Sequence, residues 1–228
     1  MINYLKHSEI DKVKWDQCLE QSENGLVYGL SWYLDIVSPG WEALVKGDYE
    51  IIFPLTWKKK HTFYYLYQPF FCQKLGLFSS ISSPELINDF LNAIPDKFRF
   101  IDICLNQNNS SVNKKWKCTE RNNDVLALAD AYKILRENYS TNLIRNLKKA
   151  KDYGLKASEV KSDDVIDLYR NQLSAKVKAI KTAHYKNLQA LIHTAGQKKM
   201  LIKKGIFFEN KLIAGILVLK WKNRNIIL

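Results

Sequence analysis

The sequence predicts an α+β fold, with two α+β units side by side and mixed, mainly antiparallel sheets flanked by helices. Three observations predict it. Segments with apolar residues at helical spacing give way to runs rich in β-branched and aromatic residues, and this order occurs once in each half. Hydrophobic residues make up 46% and aromatic residues 12% of the 228 positions, enough for a real core and too apolar for a disordered chain. The texture turns helical near Asp124–Asp130, which divides the chain into units 1–129 and 130–228.

In the first unit, Ser8–Gln21 reads as a helix packing through Ile10, Trp15, Cys18 and Leu19. Ser31 caps a short second helix that Pro39-Gly40 ends. Trp41–Lys46 and Tyr49–Trp57 are extended runs joined at Gly47-Asp48, and Pro54 marks the second as an edge or a bulge. Thr62–Gln68 is an aromatic strand, and Pro69–Ser80 is irregular. Pro84–Ala93 is a helix capped by Ser83, and Phe98–Leu105 is a strand. Trp116–Thr119 and Asp124–Ala129 read as two short strands.

In the second unit, Ala131–Asn138 leads into a helix over Tyr139–Lys156. Ser140 caps that helix, and Gly154 with Leu155 stops it. Leu143, Leu147 and Ala150 share one face, built to pack. Asn142, Arg145, Lys148, Lys149 and Asp152 lie on the opposite face, where they either meet an anion or stand in solvent. Then come a strand at Leu155–Glu159 and a helix at Asp163–Ser174, capped by Ser162. Ala183–Gly196 is a helix with an apolar stripe of Leu188, Leu191 and Ile192. Met200–Phe208 and Leu212–Leu219 form a hairpin through Glu209–Lys211, and Asn225–Leu228 begins another strand.

The net charge of +12 favours an anionic partner: nucleic acid, a phosphorylated metabolite or an acidic membrane face. Cys18, Cys72, Cys104 and Cys118 show no CxxC spacing and sit in apolar contexts, as reduced, buried thiols of a cytoplasmic protein do. His7, His61, His184 and His193 form no ligand pattern, and phosphate-loop, dinucleotide and nucleophile-elbow motifs are absent. The longest apolar run, Leu212–Leu219, is far short of the roughly 20 residues that span a bilayer. Integral membrane contact is therefore not expected.

The run from Arg145 to Leu155, RNLKKAKDYGL, resembles the Fem-type aminoacyltransferases and the related acetyltransferase-like domains of the GNAT superfamily. Downstream, ENKLIAGILVLKWKNRNIIL is similar to the strand pair of a GNAT core, and SWYLDIVSPGWEALV with YLYQPFFCQKLGLFS is similar to bacterial members of the same group. The resemblance implies two tandem GNAT-like domains that move an acyl or aminoacyl group onto an amine, such as one on a cell-wall precursor. The donor substrate would be acyl-CoA or aminoacyl-tRNA, with no tightly bound cofactor. It also implies a splay between two central strands that admits the donor, and a backbone N–H there that steadies the oxyanion. Leu212–Leu219 is the strand that matches by position. The donor loop of such folds comes after the central strands. The sequence reaches only Leu228, so the second domain is expected to be incomplete, with an inactive truncated remnant as one alternative.

Candidate substrate contacts are Arg145, Lys148 and Lys149, for phosphate on a nucleotide-linked acceptor or a tRNA donor. Tyr67 and Gln68 can present a hydroxyl and an amide to a cleft, or else pack. Lys220 and Trp221 end the matching strand, near a donor or at an exposed hairpin end. Asp102 and Glu209 have no partner at telling spacing, so the catalytic residues stay unassigned. His184 and His193 fall on nearly opposite helix sides, which argues against a shared site. The alternative function is a non-catalytic basic module that binds nucleic acid or another anionic ligand.

Overall fold

The computed structural model describes residues 1–80, 84–106, 115–128, 132–173 and 180–228. It is an α+β fold with antiparallel and mixed sheets flanked by helices. The chain begins with β1 (Ile2–Leu5), a strand that the sequence does not announce because its four residues find their partner forty residues on. A 3-10 turn at His7–Glu9 comes next, and α1 (Lys12–Gln21) starts later than expected. Asp11 sets that start, accepting from the N–H groups of Val13 and Lys14 at 3.0 and 3.1 Å. In α2 (Ser31–Val37) Ser31 is not the cap. Its N–H and hydroxyl both donate to the Asp16 carboxylate at 2.7 Å, so α1 satisfies the start of α2.

Next come β2 (Glu42–Lys46) and β3 (Ile51–Leu55), paired antiparallel, with β1 beyond β2 and β6 (Phe78–Ser79) beyond β3. β6 pairs only with Ile51 and Ile52. Pro54 therefore faces no strand on that side, which is how a buried strand accommodates a residue without an N–H. After Thr56 the chain runs into β4 (Trp57–Lys60) and turns through His61-Thr62 into β5 (Phe63–Tyr67). α3 (Pro84–Asn92) then crosses to β7 (Phe98–Asp102), which lies parallel to β5. The Ser83 cap lies outside the described residues.

Residues 115–128 carry no strand, although Trp116–Thr119 and Asp124–Ala129 are expected to form two; positions 125, 126 and 128 are well exposed, and no strand lies opposite among the described residues. α4 (Tyr132–Glu137) and α5 (Thr141–Asp152) come next. The ends of α5 are as expected: Leu143 N–H donates to Ser140 Oγ at 3.2 Å, Gly154 adopts φ 68°, and Leu155 N–H reaches Ala150 C=O. Its apolar face, however, packs on nothing that buries it: no residue of α5 is buried.

The remainder is β8 (Ala157–Ser158), α6 (Ser162–Leu173), α7 (Thr182–Gln197), β9 (Leu201–Phe208), β10 (Lys211–Trp221) and β11 (Arg224–Ile227), with strand order β11-β10-β9-β8. Glu209 and Asn210 both take positive φ in a two-residue hairpin turn. Leu188, Leu191 and Ile192 form the buried stripe of α7.

The largest core gathers Trp15, Leu19, Tyr33, Leu34, Trp41, Ile52 and Phe78 from the first half with Leu191, Ala195 and Leu219 from the second. Lys222 Nζ donates to Ser22 C=O at 3.0 Å across the same contact. Two further cores lie under β3 with α3 and between α6, α7 and β10. Among the described residues no helix is long and apolar enough to cross a membrane.

Candidate functional site

Beyond the Tyr67–Asp102 pair the parallel strands β5 and β7 part, and their parting is filled from within. Gln68 donates through Nε2 to Cys72 C=O at 2.7 Å and accepts at Oε1 from Cys104 N–H at 2.9 Å. Leu75 N–H donates to Cys104 C=O at 2.8 Å, and Leu75 forms a parallel bridge with Leu105. Both ends of the Gln68 amide are thus committed to backbone. Tyr67 is equally engaged: its hydroxyl donates to Val37 C=O at 3.2 Å, and its own C=O accepts from the Thr56 hydroxyl at 2.6 Å. Burial pushes the Tyr67 phenol above its ordinary pKa. Complete burial drives the Cys72 thiol up as well. Cys18, held at about 11 by burial, is likewise inert. Cys118, expected inside, is exposed, and Cys104 is half-buried.

A second space is open. Between α6, α7, β10 and β11 lies a cleft of about 230 Å³ lined by Val165, Tyr169, Gln172, Leu188, Gly215 and Leu217, with Phe71 at one side. That is smaller than the roughly 300–1,000 Å³ of pockets for drug-sized ligands, and it suits a small acyl group. Gly215 lets β10 lie close to α6, since a Cβ there would meet Val165 Cγ2 at 2.8 Å; on its β9 partner Gly205 a Cβ would meet Leu212 Cδ1 at 2.7 Å and Val160 Cβ, ahead of α6, at 3.0 Å.

Strand register aims β10 at this cleft. Lys220 N–H donates to Met200 C=O on the β9 edge, whereas Leu228 N–H donates to Leu217 C=O on the β11 edge. Backbone groups alternate edges along a strand, so those of Gly215 face the β11 side. The last β10–β11 pair is Val218↔Ile227, followed by the bond from Leu228 N–H to Leu217 C=O. Beside the cleft, the Tyr185 hydroxyl is buried without a hydrogen-bond partner among the described residues. Its ring meets that of Tyr169 at 6.2 Å, and the Arg170 guanidinium lies 4.7 Å from its centroid. Burial, and secondly the neighbouring Tyr185, raise the Tyr169 phenol pKa.

Near the other side of Phe71 lies a basic and aromatic cluster. Phe70 stacks on His184 with centroids 4.0 Å apart, and Lys58 Nζ sits 4.1 Å from the Tyr67 ring centre. His184 Nδ1 accepts from Lys181 N–H at 3.0 Å. Burial first, and then the like charges of Lys58 and Lys181, hold its imidazole below the ordinary histidine pKa.

The structure brings Tyr67 and Gln68 together at the filled parting and Arg145, Lys148 and Lys149 together on exposed α5. No hydrogen bond or ion pair joins the two groups among the described residues; Arg145 donates to its neighbour Asn142 at 2.7 Å. Trp221 packs against the first core, and Lys220 is exposed on β10. His193 meets Gln197, well apart from the Phe70–His184 stack. Tyr185 and Gly215 are not legible as site residues in the sequence. Tyr185 sits on the buried stripe of α7 and reads as packing, while the GILV run marks β10 without showing that it lines a cleft.

No family model matches the chain, and no curated protein and no solved structure matches it.

Proposed function

We propose that the chain is an acyltransferase of the GNAT/Fem type, with tandem GNAT-like units over 1–129 and 130–228, acting in the cytoplasm. It moves an acyl or aminoacyl group from acyl-CoA or aminoacyl-tRNA onto an amine such as one on a cell-wall precursor. The observation that carries this reading is the cleft along β10, a space of acyl size lined by Val165, Tyr169, Gln172 and Gly215. The amine nitrogen attacks the donor carbonyl, a backbone N–H of β10 steadies the oxyanion, and the C–S or C–O bond to the donor then breaks, the departing thiolate or ribose oxygen taking the proton that the amine loses.

Transfer of labelled acyl groups from both donor classes to a panel of amines tests this, with Ile216→Trp, which fills the cleft from an exposed position, as the paired variant. The wild type transfers. The variant keeps its stability to within about 0.5 kcal/mol and transfers about tenfold or more slowly. Absence of transfer from either donor, or an unchanged rate in the variant, contradicts the proposal.

One observation favours a second reading, a non-catalytic module for an anionic ligand: Arg145, Lys148 and Lys149 are exposed on one helix, and none is in an ion pair with a described carboxylate. Reversing all three charges then flattens the salt dependence of ligand affinity, and the wild type shows no transfer.

A further inference from the structure

α5 is amphipathic, and its apolar side chains are out in solvent. Leu143 is 40%, Ile144 47% and Leu147 45% exposed, although the three lie within one sector of the helix. Arg145, Lys148 and Lys149 lie outside that sector, Lys151 continues the Leu143–Leu147 row at the C-terminal end, and Asp152 is the single acid of the helix. At its C-terminal end the helix adjoins the β9–β10 hairpin. Tyr153, itself 70% exposed, meets Phe208 edge-on at 6.4 Å, and Phe208 stands exposed at the tip of the β9–β10 hairpin. Two aromatic rings therefore flank one end of a basic helix whose aliphatic face is bare.

We propose that α5, with Tyr153 and Phe208, is a docking surface for an anionic lipid bilayer, on which the helix lies in the plane of the headgroups. Charge complementarity selects the partner's sign, because the helix carries four cations against one carboxylate. The aliphatic face selects its kind. Nucleic acid would engage the cations and gain nothing from Leu143, Ile144 and Leu147, whereas the headgroup boundary accepts both faces of such a helix at once. Aromatic rings at the end of the surface suit the same boundary, where an apolar body and a polar edge are both accommodated. The lysines attract anionic headgroups while their stems lie along the apolar boundary. This inference stands apart from the transfer reading, since it uses no residue of the cleft.

Co-sedimentation of the full chain with lipid vesicles tests it, using pure phosphatidylcholine against phosphatidylcholine mixed with phosphatidylglycerol. The wild type binds the anionic vesicles and leaves the neutral ones unbound. Combined Leu143→Ser, Ile144→Ser and Leu147→Ser substitutions keep the charge and, being at exposed positions, the fold, which far-UV circular dichroism verifies. They lower vesicle affinity by about tenfold or more. Combined Lys148→Glu, Lys149→Glu and Lys151→Glu lower it on the order of a hundredfold. Lack of sedimentation of the wild type with anionic vesicles overturns the proposal. So does equal vesicle binding by the serine variant, because charge alone then accounts for it. Binding to single-stranded RNA that is tighter than to vesicles and indifferent to the serine substitutions assigns the surface to nucleic acid instead.

Discussion

The two halves of the chain share one plan and end differently. β1, α1, α2, β2 and β3 in the first half correspond in order to β8, α6, α7, β9 and β10 in the second, with antiparallel pairing in both. The long path of β3 and β4 is matched by the single long strand β10. Each then reverses through a two-residue turn at matching positions, with φ 53° at His61 and 52° at Lys222, into β5 and β11 respectively. By this order β11 stands where β5 stands, and β10, which holds the Leu212–Leu219 run, stands where β3 and β4 stand.

The halves diverge at the parting itself. In the first half Gln68 and Leu75 bond the parted strands back together. The second half has a cleft between α6, α7 and β10. The residue that clasps the first parting is a half-buried amide with both ends satisfied.

Substitutions in the two halves sharpen the contrast. Phe78 is fully buried on β6, at the end of the loop that fills the first parting, with its ring against Gly29. Phe78→Ala is expected to cost about 3–5 kcal/mol in urea denaturation. Gln68→Ala leaves the Cys104 N–H and the Cys72 C=O without partners and is expected to cost about 2–3 kcal/mol by the same measurement. In the second half, Ile216 lines the cleft and is 38% exposed. Ile216→Ser is expected to change stability by about 0.5 kcal/mol or less while impairing transfer. A loss from Ile216→Ser as large as that from Gln68→Ala would erase the distinction between the clasped parting and the cleft. The smallest effect is electrostatic. His184 is expected to titrate below pH 6.5, and Lys58→Gln to raise that midpoint, because one of the two like charges that disfavour the imidazolium is removed. NMR of the imidazole protons measures both values.

The features legible in the sequence are local. The Ser140 cap and Gly154 stop of α5, the α7 stripe and the Glu209-Asn210 hairpin each depend on residues a few positions apart. Those that are not legible depend on distant partners. β1 pairs with β2 from forty positions away, and Asp16 reaches across to start α2. Residues 124–128 have the composition of a strand, but no strand among the described residues lies opposite them. The candidate site divides in the same way. The cationic residues of α5 are legible by helical spacing, whereas the exposure of their apolar neighbours is not, because periodicity marks a face without showing what covers it. Gln68 is visible as a polar residue after a strand, and only the positions of Cys72 and Cys104 make it a clasp.

Hydrogen–deuterium exchange of the full chain, with and without acyl-CoA or aminoacyl-tRNA, tests the central claim most directly. The account predicts donor-dependent protection in 165–172 and 213–217, along α6 and β10, and unchanged exchange in 66–76, where the first parting is already filled. Protection confined to 66–76, or none with either donor, would contradict it.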